Sequence, residues 1–178
     1  MNVIFIDVDG VLNTHHYCLR KTDSGIGIDE SKLVLLKKIC DITNSNVVLS
    51  SAWKEGFSEN LKPNELYAFK LLELFQKYQI PIIGRTPTVP KKISDFSFHG
   101  IWKEYEIKKY LIEHPDVNHF CIIDDEDVDL QSLKDYLVLT KDYQKREEQE
   151  GLNEEHIERV AKVLKKTRNN KQLRYPNK

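Results

Sequence analysis

The sequence predicts an α/β protein, a Rossmann-like three-layer sandwich around a mostly parallel central sheet. Two observations predict it. Short runs of β-branched and other apolar residues alternate along the chain with segments of helical periodicity. Those runs are apolar throughout rather than alternately polar, as expected of strands covered on both faces, and the alternation of strand and helix places helices on each side of the sheet.

Residues 2–6 form the first run, a buried strand ending in Asp-Val-Asp-Gly. Residues 13–27 are rich in polar and turn-forming side chains, with Gly25 and Gly27 near their end, and read as a loop or small flap; His15 and His16 read as exposed loop histidines. Leu33, Leu36, Lys37 and Cys40 recur at helical spacing over residues 29–40, with Asp29 or Ser31 as the cap. Residues 46–49 are a second strand, closed by Ser50 and Ser51. A helix follows over 64–78, with Leu66, Phe69, Leu71 or Leu72, and Phe75 on its apolar face. A short strand over 80–83 precedes a basic, proline-punctuated loop over 85–100. Helix 103–113 carries apolar Ile107, Tyr110 and Leu111, and Pro115 closes it. Strand 119–123 runs into Asp124-Asp125-Glu126-Asp127, and 136–139 is a candidate fifth strand. Asn153 caps a last helix over 154–165, acidic in its first turn and basic in its last, as the helix dipole favours.

These elements fit one domain over residues 1–165, with 166–178 as a basic, frayed tail. Of the 178 residues 40% are hydrophobic and 31% charged, which excludes a disordered chain; the net charge of −1 leaves any attraction for nucleic acid or a membrane surface to a local patch. Cys18, Cys40 and Cys121 are scattered, against a disulfide framework or zinc site and for a reducing compartment. No apolar run approaches the roughly 20 residues of a membrane span, and Asp7 and Asp9 interrupt the first one, against a signal peptide; the cytoplasm is the expected location.

Parallel strands bring their carboxyl ends to one edge, where such sheets bind ligands. Asp7 and Asp9 follow the first strand, Ser50 the second, and Asp124 and Asp125 the fourth. Carboxylates gathered there repel one another unless a hard cation neutralises them. Mg²⁺ suits an all-oxygen ligand set and keeps waters that a phosphate oxygen can replace.

The segment Asp7 to Leu12, behind its apolar strand, resembles the first signature motif of the haloacid dehalogenase-like superfamily. The strand ending in Ser50 resembles the second motif, and Cys121 to Asp125 the fourth. The chain is also similar to the small capless domains of that superfamily grouped with RNA-repair proteins. That likeness lies in Asp-Gly-Val-Leu-Asn (Asp9 to Asn13), Ser-Ser-x-Trp (Ser50 to Trp53) and a late Gly151-Leu152.

The resemblance implies a Mg²⁺-dependent phosphomonoesterase. Asp7 is the implied nucleophile, forming an aspartyl-phosphate, and Asp9 the acid and then base. The phosphate is expected to meet Asp7, Val8, Asp9, Gly10, Ser50, Ser51 and the lone basic residue of the third motif. Lys103 matches the usual placement of that residue; Arg85, Lys91, Lys92, Lys108 and Lys109 are its rivals. The expected metal ligands are Asp7, Asp9 through its carbonyl, and Asp125 or Asp124. Lacking sequence for a cap beyond the small flap, the site is expected to be open. It would admit a phosphorylated small molecule or macromolecule, a nucleic-acid end among them, and no membrane. The competing readings are a phosphate- and Mg²⁺-binding interaction module without turnover, and a nucleic-acid-binding protein led by the tail and by Trp53 and Trp102, which otherwise read as packing residues.

Overall fold

The computed structural model describes residues 1–14, 25–89, 102–127, 130–140 and 151–166. Five strands form one all-parallel sheet: β1 (Asn2–Ile6), β2 (Ser45–Leu49), β3 (Ile82–Arg85), β4 (His119–Asp124) and β5 (Leu137–Leu139), in the order β3-β2-β1-β4-β5. The chain moves outward from β1 through β2 to β3, then crosses back to β4 on the other side of β1. That reversal puts a crevice at the carboxyl end of β1.

Side chains alternate across β1. Ile4 and Ile6 enter a core shared with helices α1 (Glu30–Thr43), α2 (Leu66–Lys77) and α4 (Glu155–Lys166). Val3 and Phe5 enter a second core, formed with α3 (Trp102–Glu113) and the 3₁₀ turn Gln131–Tyr136. This is the three-layer sandwich the sequence predicts. Asp29 caps α1, accepting a bond from the Ser31 N–H at 2.9 Å, and Asn153 accepts one from the Glu155 N–H at 3.1 Å at the start of α4.

Two expectations need correction. In α2 the buried face is Ala68, Leu71, Leu74 and Phe75, whereas Leu66 and Phe69 are 71% and 52% exposed. Apolar residues fill 66–69, 71, 72, 74 and 75, so two helical stripes overlap in the sequence and only the docked helix selects between them. The third strand begins two residues later than expected. The Ile80 N–H still bonds the Phe75 carbonyl at 2.8 Å, completing the helix exit, and pairing with β2 shifts register between Val47 and Val48.

Between β2 and β3 the described residues form a 3₁₀ turn (Ala52–Gly56), an isolated Phe57–Pro63 bridge and α2, with no inserted cap. Most of the expected flap, His15 and His16, Cys18, Lys91, Lys92 and nearly all of the basic tail lie outside the described residues. No helix among the described residues is long and apolar enough to cross a membrane.

Candidate active site

Register gathers the site. Ile6 pairs with Leu49 on one side and Ile123 on the other, so the next residues of the three strands, Asp7, Ser50 and Asp124, stand level at one edge. Backbone bonds lock that level: the Asp7 N–H donates to the Ile123 carbonyl at 3.0 Å and the Ser50 N–H to that of Ile6 at 2.8 Å. Carboxylate oxygens of Asp7, Asp124 and Asp125 lie within 4.8 Å of one another. Asp124 and Asp125 are buried, and the Asp7 side chain is 13% exposed.

Lys103 reaches this cluster from the first turn of α3, its Nζ donating to Asp7 Oδ2 and Asp124 Oδ2 at 2.6 Å each. Burial opposes its charge, but Asp7 and Asp124 outweigh that and hold the ammonium well above the usual lysine range. Its rivals among the described residues are engaged elsewhere. Arg85 donates to the Ser58 carbonyl at 3.0 Å, Lys108 pairs with Glu104 at 2.6 Å, and Lys109 with Glu113 at 3.7 Å.

One lysine does not neutralise three carboxylates. Burial first, then Asp7 and Asp124, push the Asp125 carboxyl up to about 7. Burial also raises Asp124; Lys103 opposes it and Asp7 adds to it. Both oxygens of Asp124 have protein donors, Lys103 Nζ and, at 3.1 Å, the Glu126 N–H. Three converging hard oxygen donors in excess of the local positive charge fit a small divalent cation, which Asp7, Asp124 and Asp125 could hold.

The carboxylate of Asp9 stands apart from the three. It lies exposed at the lip, with Oδ1 accepting from Asn13 Nδ2 at 2.8 Å and Oδ2 from Trp53 Nε1 at 3.0 Å. Asp7, Asp9, Ser50 and Lys103 line one cleft of about 510 Å³, bordered by Trp102. Ser50 Oγ is buried there with no hydrogen-bond partner among the described residues, an orphaned donor at the place where an anion would sit. Ser51 caps the following 3₁₀ turn, its Oγ accepting from the Trp53 N–H at 3.4 Å.

Two backbone donors of the first loop have acceptors within it. The Gly10 N–H donates to Asn13 Oδ1 at 3.0 Å and the Val8 N–H to Asp7 Oδ1 at 2.6 Å. Position 10 requires glycine for the backbone and for the packing of the acidic pair. Its φ is +71°, and a Cβ there would lie 2.1 Å from Asp125 Oδ2, so only glycine lets the acidic pair close against the first loop.

The residue types of the site gave no sign of three further groups: the Asn13 and Trp53 donors, the buried Lys54–Glu106 ion pair on the cleft wall, and Thr140, whose Oγ1 donates to the Gly10 carbonyl at 3.0 Å. Asn13 and Trp53 do stand in the Asp-Gly-Val-Leu-Asn and Ser-Ser-x-Trp segments, but nothing in those segments pairs them with Asp9.

A doubly wound sheet with an Asp-x-Asp loop, a serine following the second strand, a lysine bonded to the aspartates and an acidic pair at one edge is the arrangement of haloacid dehalogenase-like domains. Within that class, the chain belongs to the family described as the HAD domain in Swiss Army Knife RNA repair proteins, whose family model matches residues 3–157. No curated protein and no solved structure matches it.

Proposed function

We propose that this domain is a Mg²⁺-dependent phosphomonoesterase working through an aspartyl-phosphate on Asp7. The observation that carries the reading is the division of labour among the carboxylates: Asp7, Asp124 and Asp125 converge within 4.8 Å, while Asp9 is held apart at the lip of the same cleft.

Asp7, Asp125 and the Asp9 carbonyl would hold Mg²⁺, which would supply charge neutralisation at the phosphoryl group. Asp124 is the most buried of the three converging carboxylates and, through its bond to Lys103, supports that lysine and the metal site. Lys103 and the Ser50 hydroxyl bind the other phosphoryl oxygens as charge shifts during transfer.

An Asp7 carboxylate oxygen attacks phosphorus and the bond to the leaving oxygen breaks as Asp9 delivers its proton there, releasing the alcohol. Asp9, now a carboxylate, takes a proton from water; the water oxygen attacks phosphorus, the bond to Asp7 breaks, and phosphate leaves. Both aspartates are thereby regenerated.

The absence of a cap among the described residues, together with a family placed in RNA repair proteins, supports a phosphorylated nucleic-acid end as the substrate. Hydrolysis of an aryl phosphate with and without Mg²⁺, by wild type and Asp7→Asn, tests the chemistry. A panel of 5′- and 3′-phosphorylated oligonucleotides, nucleotides and sugar phosphates then tests the substrate class. Wild-type turnover by Asp7→Asn would overturn the mechanism, and preference for sugar phosphates would overturn the substrate class.

A further inference from the structure

We infer that Trp53 and Asn13 are positioning residues that aim Asp9 at the leaving-group oxygen. The inference rests on the aspartyl-phosphate route proposed above and adds to it the parts that make Asp9 competent.

Asp9 is exposed although the loop residues on either side of it are buried, and an exposed carboxylate would otherwise sample several rotamers. Each of its oxygens instead accepts one N–H, from Asn13 at 2.8 Å and from Trp53 at 3.0 Å. A carboxylate has about four lone-pair sites, so two accepted bonds fix its plane and leave capacity for the substrate.

Both donors are themselves held. Asn13 is 3% exposed, and its amide spans the turn, accepting from the Gly10 N–H through Oδ1 while donating to Asp9 through Nδ2. Reversing that amide would set its oxygen against the carboxylate and an NH₂ against the Gly10 N–H, so one orientation is favoured. Trp53 stands edge-on to Tyr67, with ring centroids 5.4 Å apart and planes at 80°. Tyr67 in turn packs over Gly56, where a Cβ would lie 2.6 Å from its ring. Gly56, Tyr67, Trp53 and Asp9 therefore form one supporting stack.

The sequence couples this stack to the phosphate end of the cleft. Ser50 directly follows β2 and Trp53 lies within the 3₁₀ turn that comes next. One short segment thus sets the orphaned hydroxyl of Ser50 and the indole that orients Asp9. Packing alone would be served by phenylalanine at position 53, whereas positioning requires the indole N–H.

The test compares kcat/KM, which reports formation of the aspartyl-phosphate, for p-nitrophenyl phosphate and for glycerol 2-phosphate. Nitrophenolate departs without a proton and an alkoxide does not. Trp53→Phe keeps a ring against Tyr67 and removes only the donor.

Trp53→Phe, and separately Asn13→Ala, are expected to lower kcat/KM for the alkyl ester by about 10-fold or more and for the aryl ester by about 3-fold or less, within the range of general-acid effects. Inhibition by inorganic phosphate stays at the wild-type level and reports a folded phosphate site. In an Asp9→Asn background Trp53→Phe has no further effect, because it acts through that carboxylate. Equal losses on both esters, no loss on either, or a further loss in the Asp9→Asn background would overturn the inference. A wild-type preference between the esters in Asp9→Asn itself would instead place the failure in the proposed role of Asp9.

Discussion

Replacing Gly10 by alanine tests whether the first loop and the acidic pair form one unit. Two costs can be worked from the structure. The residue has φ +71°, and an alanine held in the left-handed region costs about 1–2 kcal/mol. Its Cβ would also lie 2.1 Å from Asp125 Oδ2, 2.3 Å from Cγ and 2.7 Å from Cβ. Non-bonded heavy atoms rest at about 3.5 Å, so the carboxylate must retreat by roughly 1 Å. Asp125 is 6% exposed and follows β4 directly, so its backbone offers little slack. Mg²⁺ demands near-ideal octahedral distances, and a ligand displaced that far is lost. Gly10→Ala is therefore expected to unfold about 1–3 kcal/mol more easily in urea without divalent ions. It should need at least about 10-fold more Mg²⁺ for half-maximal aryl-phosphate turnover, on the order of the loss from one disturbed ligand. An unchanged Mg²⁺ titration would refute the reasoning, because the loop would then have accommodated the methyl group without moving Asp125.

The raised Asp125 carboxyl makes a linkage prediction. A folded-state value near 7 against an ordinary 3.8 means that the folded protein holds a proton the unfolded chain releases, so stability in EDTA falls as pH rises through about 4 to 7. Urea melts should show a loss on the order of 2–4 kcal/mol across that window, and saturating Mg²⁺ should suppress it. Lys103→Met leaves Asp7 and Asp124 without their shared cation. Turnover should fall by about 10²–10³-fold and the EDTA stability slope should steepen, read by aryl-phosphate kinetics and by melts at several pH values. Ser50→Ala removes a hydroxyl that has no partner among the described residues, so melts should change by less than about 0.5 kcal/mol while inhibition by inorganic phosphate weakens by about 10-fold.

The convergence of the candidate site residues was legible because each stands where an apolar run stops. Val-Ile-Phe-Ile before Asp7, Val-Val-Leu before Ser50 and Phe-Cys-Ile-Ile before Asp124 mark three parallel strand ends, and fold class alone gathers them. The salt bridges of Lys103 agree with its placement at the start of the helix preceding β4. What supports these residues was not legible. Trp53 bonds Asp9 across 44 positions of sequence, and Lys54 pairs with Glu106 across 52, contacts that no local pattern encodes. Glu104 and Glu106 have the look of a solvated helix face, yet both are buried. Glu104 is satisfied by Lys108 and by the Ser132 N–H and hydroxyl, binding α3 to the 3₁₀ turn before β5.

Those unannounced contacts explain how the protein holds like charges together at all. Three aspartates within 4.8 Å would separate if their loops were free. Each loop is instead tied to another. Thr140 joins the Gly10 carbonyl through Oγ1 and the Asp124 carbonyl through its N–H at 2.8 Å, bridging the end of β5 to the first and fourth strand ends. The Leu152 N–H donates to the Val11 carbonyl at 2.9 Å, and Gly151, at φ +62°, lets the chain approach so closely that a Cβ would lie 2.8 Å from that oxygen. The segment before the last helix thus clamps the segment that begins the site. Lys103 offsets part of the repulsion, and hydrogen bonds distributed over β1, β2, β4, β5 and the α4 entrance bear the rest, so loosening any one of them should weaken Mg²⁺ retention before it unfolds the sheet.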